Sequence, residues 1–101
     1  MNASILQKQL IVAGVNICLV ADMGYDTIWL PIKIGVLIRE GLKWEDALKA
    51  VTINPAKVMG KEDHIGSLEV GKDADIAVFD GDPFSNMTKC IYTDIDGQNW
   101  D

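Results

Sequence analysis

Residues 65–83, IGSLEVGKDADIAVFDGDP, constrain the fold more than any other part of this chain. Gly66 and Gly71 bracket a short strand, Ser67 to Val70, and Gly71-Lys72-Asp73 makes a turn. Ala74 to Phe79 then runs as an apolar strand, which Asp80-Gly81-Asp82-Pro83 stops. Before this stretch the apolar period is helical and after it the period is two. The change falls at about Gly60 to Gly66, so residues 1–62 and 63–101 are expected to form two structural regimes.

The first regime reads as helix, strand, helix, helix and short helix. Ser4 can cap a helix running to about Ala13, with Ile5, Leu6, Leu10 and Val12 apolar and Gly14 as its stop. Val15 to Ala21 is short, β-branched and nearly continuous in apolar character, the pattern of a strand buried on both faces. It ends in the polar loop Asp22 to Asp26. Thr27 to Glu40 reads as a second helix, with Pro31 in its first turn, Gly41 just past its end and Leu30, Ile34, Leu37 and Ile38 on one stripe. A third helix spans roughly Lys43 to Val51, with Trp44, Leu48 and Val51 inward and Glu45, Asp46 and Lys49 outward. Asn54 is placed to cap a short helix with Pro55 at its first position, and Gly60 ends it. In the second regime Cys90 to Ile95 forms a further strand. Asp96-Gly97 signals a type I′ turn, and Gln98-Asn99-Trp100 begins a returning strand.

Composition removes several function classes. With 101 residues the chain makes one small domain, burying roughly 60–65% of its unfolded surface. Its hydrophobic content of 49% is high for that size and implies apolar surface turned to a partner or a missing segment. A net charge of −6, with nine scattered basic residues, argues against nucleic acid. Trp29, Trp44 and Trp100 do not sit among basic residues on a sheet, so packing is preferred to a base-stacking platform. Cys18 and Cys90 form no CxxC pair and are expected to be buried free thiols of a reducing compartment. The N-terminus lacks a basic start, and no apolar run approaches the roughly 20 residues of a membrane span, so a cytoplasmic location is expected. GxSxG and GxGxxG are absent, which removes serine-hydrolase and dinucleotide readings.

Two motifs, TINPAKVMG and GSLEVGKDADIAVFDGDP, occur in the order and spacing of the C-terminal signature of the amidohydrolase superfamily. The chain resembles its imidazolonepropionase-like branch of metal-dependent hydrolases over about residues 10–97. The resemblance implies an α/β fold. The chain would be the C-terminal fragment of a (β/α)8 barrel, its last strand and helices, followed by strands of a small β-sandwich. It implies that residues 12–22, VAGVNICLVAD, are the last barrel strand with its terminal carboxylate. In the family that carboxylate binds a zinc-type divalent metal or activates the hydrolytic water, so Asp22 is the one candidate catalytic and metal-binding residue.

The rest of the family's donor set, an HxH pair, a Lys or Glu and two further His residues, has no counterpart here. His64 is the single histidine, and it lies in a loop where the family motif has no ligand. Met23 follows Asp22 where some relatives carry His. Asp73, Asp75, Asp80 and Asp82 lack the spacing of a calcium loop and read as turn residues.

A single carboxylate does not hold a catalytic ion, since such sites need about three protein ligands. The chain alone is therefore expected to bind no cofactor. The first reading is the C-terminal portion of a hydrolase of non-peptide C–N bonds of the cyclic amide or amidine class, inactive alone and completed by a missing N-terminal polypeptide. The alternative is a non-catalytic module derived from the same fold that self-associates or binds a partner, and a homo-oligomer is expected. A remnant without function is the third possibility. No membrane or nucleic-acid partner is expected in any of them.

Overall fold

In the computed structural model the described residues are 3–20 and 29–99. They form four helices, α1 (Ala3–Val12), α2 (Leu30–Arg39), α3 (Trp44–Val51) and α4 (Ile53–Val58). Three strands follow, β1 (Ile76–Phe79), β2 (Cys90–Ile95) and β3 (Gln98–Asn99), in an antiparallel sheet of order β1-β2-β3. The four helices precede the three strands in the chain.

One closure ends three of the helices. Gly14, Gly41 and Gly60 have φ of +86°, +122° and +70°, a region where a Cβ is costly. In each case the glycine amide donates three residues back and the next amide donates five back. The pairs are Gly14 to Ile11 and Val15 to Leu10, Gly41 to Ile38 and Leu42 to Leu37, and Gly60 to Lys57 and Lys61 to Ala56. This Schellman closure satisfies the last carbonyls and turns the chain sharply. At α2 it delivers Leu42 into the core, where it is 4% exposed.

The core is small. Ile34, Leu42, Ala47 and Phe84 form its buried cluster, with Leu30, Leu37, Ile38, Leu48 and Val51 packed against it. The apolar stripe of α2 thus faces inward as its spacing predicts. On α3 the inward residues are Ala47 and Ala50, whereas Trp44 is 37% exposed. Small residues occupy the centre because α3 lies close to its neighbours. The indole instead lies edge-on to Phe84, with ring centroids 6.0 Å apart.

Two expected strands are absent. Residues 15–20 form neither helix nor strand and join no ladder, and Val15 and Val20 are exposed. A strand needs a neighbouring strand at its edge to form a ladder, and the one sheet among the described residues is β1-β2-β3. Residues 67–70 also form no strand. The Lys72 ammonium reaches the Ser67 hydroxyl at 2.7 Å, Ser67 Oγ donates to Glu69 at 3.1 Å, and the Lys72 amide donates to the Glu69 carbonyl. These local bonds close a loop that leaves Leu68 and Val70 exposed.

The sheet matches the sequence pattern more closely. Asp96 and Gly97 have φ of 55° and 80°, as a two-residue type I′ hairpin requires. β2 pairs with β3 through Asp94–Asn99 and Ile95–Gln98. β1 pairs with β2 through Ile76–Asp94, Ala77–Thr93, Val78–Tyr92 and Phe79–Cys90, with Ile91 as the extra residue of a bulge.

Among the described residues no helix packs on a strand. The two regions meet through the loop Asp82-Pro83-Phe84, whose Phe84 enters the helical core. The result is extended, with a radius of gyration of 14.3 Å against about 13 Å for a compact chain of this length. Also among the described residues, no helix is long and apolar enough to cross a membrane.

Candidate functional site

Asp22 lies outside the described residues, but the segment leading to it is well defined. Residues 15–20 run across the C-terminal end of α3 and the start of α4. The Leu19 amide donates to the Ala50 carbonyl at 3.0 Å. Asn54 Nδ2 donates to the Ile17 carbonyl at 2.8 Å, and Asn16 Nδ2 donates to the Asn54 carbonyl at 3.2 Å. Three bonds thus fix this stretch in place of sheet neighbours and set the direction in which the chain arrives at residue 21.

Asn54 therefore does not cap α4. It lies inside the helix, whose N-cap position is Thr52, and Thr52 Oγ1 bonds back to the Leu48 carbonyl at 2.7 Å. Asn54 and Asn16 are the residues that sequence reasoning missed. The available signal was Asn16, a polar side chain inside the apolar run 15–21, which must find a partner if the run is buried.

The acidic residues near the sheet behave as turn residues. Asp75 Oδ1 accepts the Asp96 amide at 2.8 Å and Asp80 Oδ1 accepts the Lys89 amide at 2.8 Å. Asp82 Oδ1 accepts both the Trp44 indole N–H and the Phe84 amide, each at 3.0 Å. The indole hydrogen bond first, and the amide second, hold the Asp82 carboxyl below its ordinary value of 3.8.

His64 is exposed, as a loop histidine would be. Its amide donates to Lys61 and its carbonyl accepts from Asp73. It lines a shallow cleft of about 370 Å³ with Lys61, Ile65 and Asp73. A second open cleft, about 190 Å³, lies between α2 and the Phe84 loop, with Arg39 and Asn86 at its polar side. Neither cleft joins residues 15–20. Cys18 is half-buried and Cys90 is exposed, which corrects the expectation that both thiols are buried. Cys90 starts β2, on which no helix packs among the described residues, and its Sγ lies 3.3 Å from Thr93 Oγ1.

Among the described residues no three His, Cys, Asp or Glu side chains gather where a metal ion could be held. The donors present do not fit a catalytic divalent centre.

Comparison with known proteins places this arrangement. The pattern of the Amidohydrolase family matches residues 6–100. An imidazolonepropionase from Fusobacterium nucleatum is 38% identical over 78 residues, covering 72% of this chain and 19% of that protein. One from Bacteroides fragilis is 31% identical over 99 residues, covering 89% of this chain and 24% of that protein. The crystal structure of an amidohydrolase from Thermotoga maritima superposes with a TM-score of 0.87 at 38% identity, over 95% of this chain and 25% of that one. The chain therefore spans about a quarter or less of the relatives it matches. Helices, open segment and hairpin sheet together reproduce one portion of a larger hydrolase, and the chain belongs to the amidohydrolase family.

Proposed function

We propose that this chain is the C-terminal portion of an imidazolonepropionase-like hydrolase of cyclic C–N bonds, and that it is inactive alone. On this reading residues 15–20 correspond to the last strand of a (β/α)8 barrel, and β1–β3 to part of a β-sandwich. The observation that supports it is the held but unpaired segment 15–20. It carries hydrogen bonds to Asn54 and Ala50 and pairs with no strand among the described residues. In a parallel barrel, functional groups stand just past the C-terminal ends of strands, the position Asp22 has in sequence.

Amidohydrolases generally use divalent metals. Since the described residues do not hold such an ion, no step through a metal is derived for this chain. The role proposed for Asp22 is one carboxylate of a centre whose imidazoles come from another polypeptide. There it would be a metal ligand or the acceptor of the attacking water's proton.

Fragment complementation tests this reading. The Thermotoga maritima amidohydrolase, expressed without the quarter that matches this chain, is mixed with it and zinc, and hydrolysis of a cyclic amide is followed. Activity is expected from the mixture, none from either part, and none with Asp22→Ala. Turnover by the purified chain alone would overturn the proposal. So would stoichiometric sub-micromolar zinc binding by the chain, measured by calorimetry.

A second reading, a self-associating module, is favoured by the exposure of Val12 (88%), Val20 (74%) and Val58 (71%) in the helical region. A homo-oligomer in light scattering at micromolar concentration supports it, and a clean monomer removes it.

A further inference from the structure

Asn54 stands in the first turn of α4 and precedes Pro55. Asparagine favours the cap, which Thr52 holds instead, and the residue before proline is steered away from helical angles. A residue that breaks local rules without local gain is where a second task is expected. The side chain shows that task. Its Nδ2 donates to the Ile17 carbonyl at 2.8 Å, 37 positions away in the chain.

This bond is one half of a reciprocal pair. Asn16 Nδ2 donates to the Asn54 carbonyl at 3.2 Å, so two adjacent residues are gripped, one by its side chain and one by its backbone. The Leu19 amide adds a third bond, to the Ala50 carbonyl near the end of α3, where carbonyls lack intrahelical partners. Grips at residues 16, 17 and 19 fix both the place of the segment and its rotation. α4 is itself backed at this point. Gly66 has φ of +99°, and a Cβ on it would come to 3.0 Å from Ile53 Cα and from Ala56 Cβ, on either side of Asn54-Pro55. Asn54 belongs to TINPAKVMG and Gly66 opens GSLEVGKDADIAVFDGDP, so the two sequence motifs meet at this clamp.

We propose that Asn54 is a positioning residue, which through Ile17 sets where the Asp22 carboxylate is delivered, with Gly66 seating the turn of α4 that bears it. The inference rests on the hydrolase reading, which puts Asp22 in the reacting centre. Asp22 follows Leu19 by three residues, so the backbone carries it no more than about 11 Å from that anchor. On so short a tether a shift of the grip passes to the carboxylate. Misplacing a reacting group by ~1 Å costs on the order of a hundredfold in rate.

The test mixes this chain, in saturating excess, with the shortened Thermotoga maritima amidohydrolase and zinc, so that weaker docking does not enter the rate. Asn54→Asp keeps the size of the side chain and the carbonyl that Asn16 needs, but its carboxylate cannot donate to Ile17. It is expected to lower kcat about tenfold or more with KM unchanged. In the chain alone it should also move the 13C resonance of the Ile17 carbonyl. Asn54→Ala, which adds no charge, should do the same. Trp44→Phe breaks the bond to Asp82 and leaves the clamp intact, so kcat should be unchanged. Three results overturn the inference while the hydrolase reading stands. They are an unchanged kcat with both Asn54 variants, an equal fall with Trp44→Phe, or an Ile17 resonance that does not move. A mixture in which the unaltered chain gives no activity overturns the hydrolase reading itself, and the role of Asn54 with it.

Discussion

The helical region and the sheet region hold themselves together by different means. Among the helices, Ile34, Leu42, Ala47 and Ala50 are nearly free of solvent, and residues 15–20 are tied down by Asn54 and Ala50. In the sheet the backbone ladder joins neighbouring strands with one bulge at Ile91, yet Val78, Phe79, Ile91, Tyr92 and Ile95 all remain exposed. Backbone pairing without a covering layer gives a hairpin sheet little independent stability, because hydrogen bonds traded with water contribute little net and burial contributes most. The sheet therefore depends on its attachments to the helices, chiefly Phe84 in the helical core and the Asp82–Trp44 hydrogen bond beside it.

That difference is broken most directly at Phe84. Truncation by Phe84→Ala removes an aromatic side chain that is 8% exposed and packs on Trp44. A loss of about 3 kcal/mol in urea unfolding is expected. Limited proteolysis should then cut between the regions while the helical core persists. Gly35→Ala strains the same anchorage from the other side, because a Cβ on α2 would run into the Phe84 carbonyl oxygen. Its cost, about 1–2 kcal/mol after the helix-propensity gain, should shrink in the Phe84→Ala background, where that carbonyl is free to move. Strict additivity in this cycle would show that the loop is not the joint between the regions.

A smaller effect is expected at Asn54, the clamp on the other exceptional segment. Asn54→Ala deletes the donor to the Ile17 carbonyl. Stability should fall by about 1 kcal/mol. Amide exchange should rise at Leu19, whose N–H is bonded to Ala50, before it rises in α3. Simultaneous rises in both would mean that residues 15–20 are part of the helical core rather than a separately held strap.

Legibility in the sequence follows the same division between local and long-range causes. Helix ends at Gly14, Gly41 and Gly60 and the Asp96-Gly97 turn were readable because each depends on a few adjacent φ angles. The stripe of α2 was readable because 3.6-residue spacing reports burial directly. Residues 15–20 pair with no described strand although their composition describes a strand with neighbours, because a strand's neighbours are distant in sequence. Ser67 to Val70 failed for a different reason. Ser67, Glu69 and Lys72 satisfy one another locally, and alternation of Leu68 and Val70 carries no information once nothing lies beneath them. Of the candidate site, the sequence pointed to Asp22 through the resemblance of residues 12–22 to the family's last barrel strand. It did not reveal the Asn16–Asn54 clamp, which joins residues 38 positions apart.

The smallest expected effect concerns pH and is confined to the joint between the regions. Asp82 accepts the Trp44 indole N–H and the Phe84 amide through one oxygen, and these bonds favour its ionised form. Its carboxyl titrates below 3.8 in the folded chain and near that value in the unfolded one. The folded state therefore binds this proton less readily than the unfolded state. The contribution to stability is complete above about pH 5, begins to fall near the unfolded value, and is gone once the pH drops through the depressed folded value. Because Asp82 is exposed, solvent screening keeps the effect modest. Asp82→Asn preserves the acceptor oxygen but cannot titrate. Urea midpoints measured between about pH 6 and 3 should fall less steeply for Asp82→Asn than for the unaltered chain, and the two curves should converge at the acidic end. Parallel curves would show that the charge on Asp82 does not contribute to the joint.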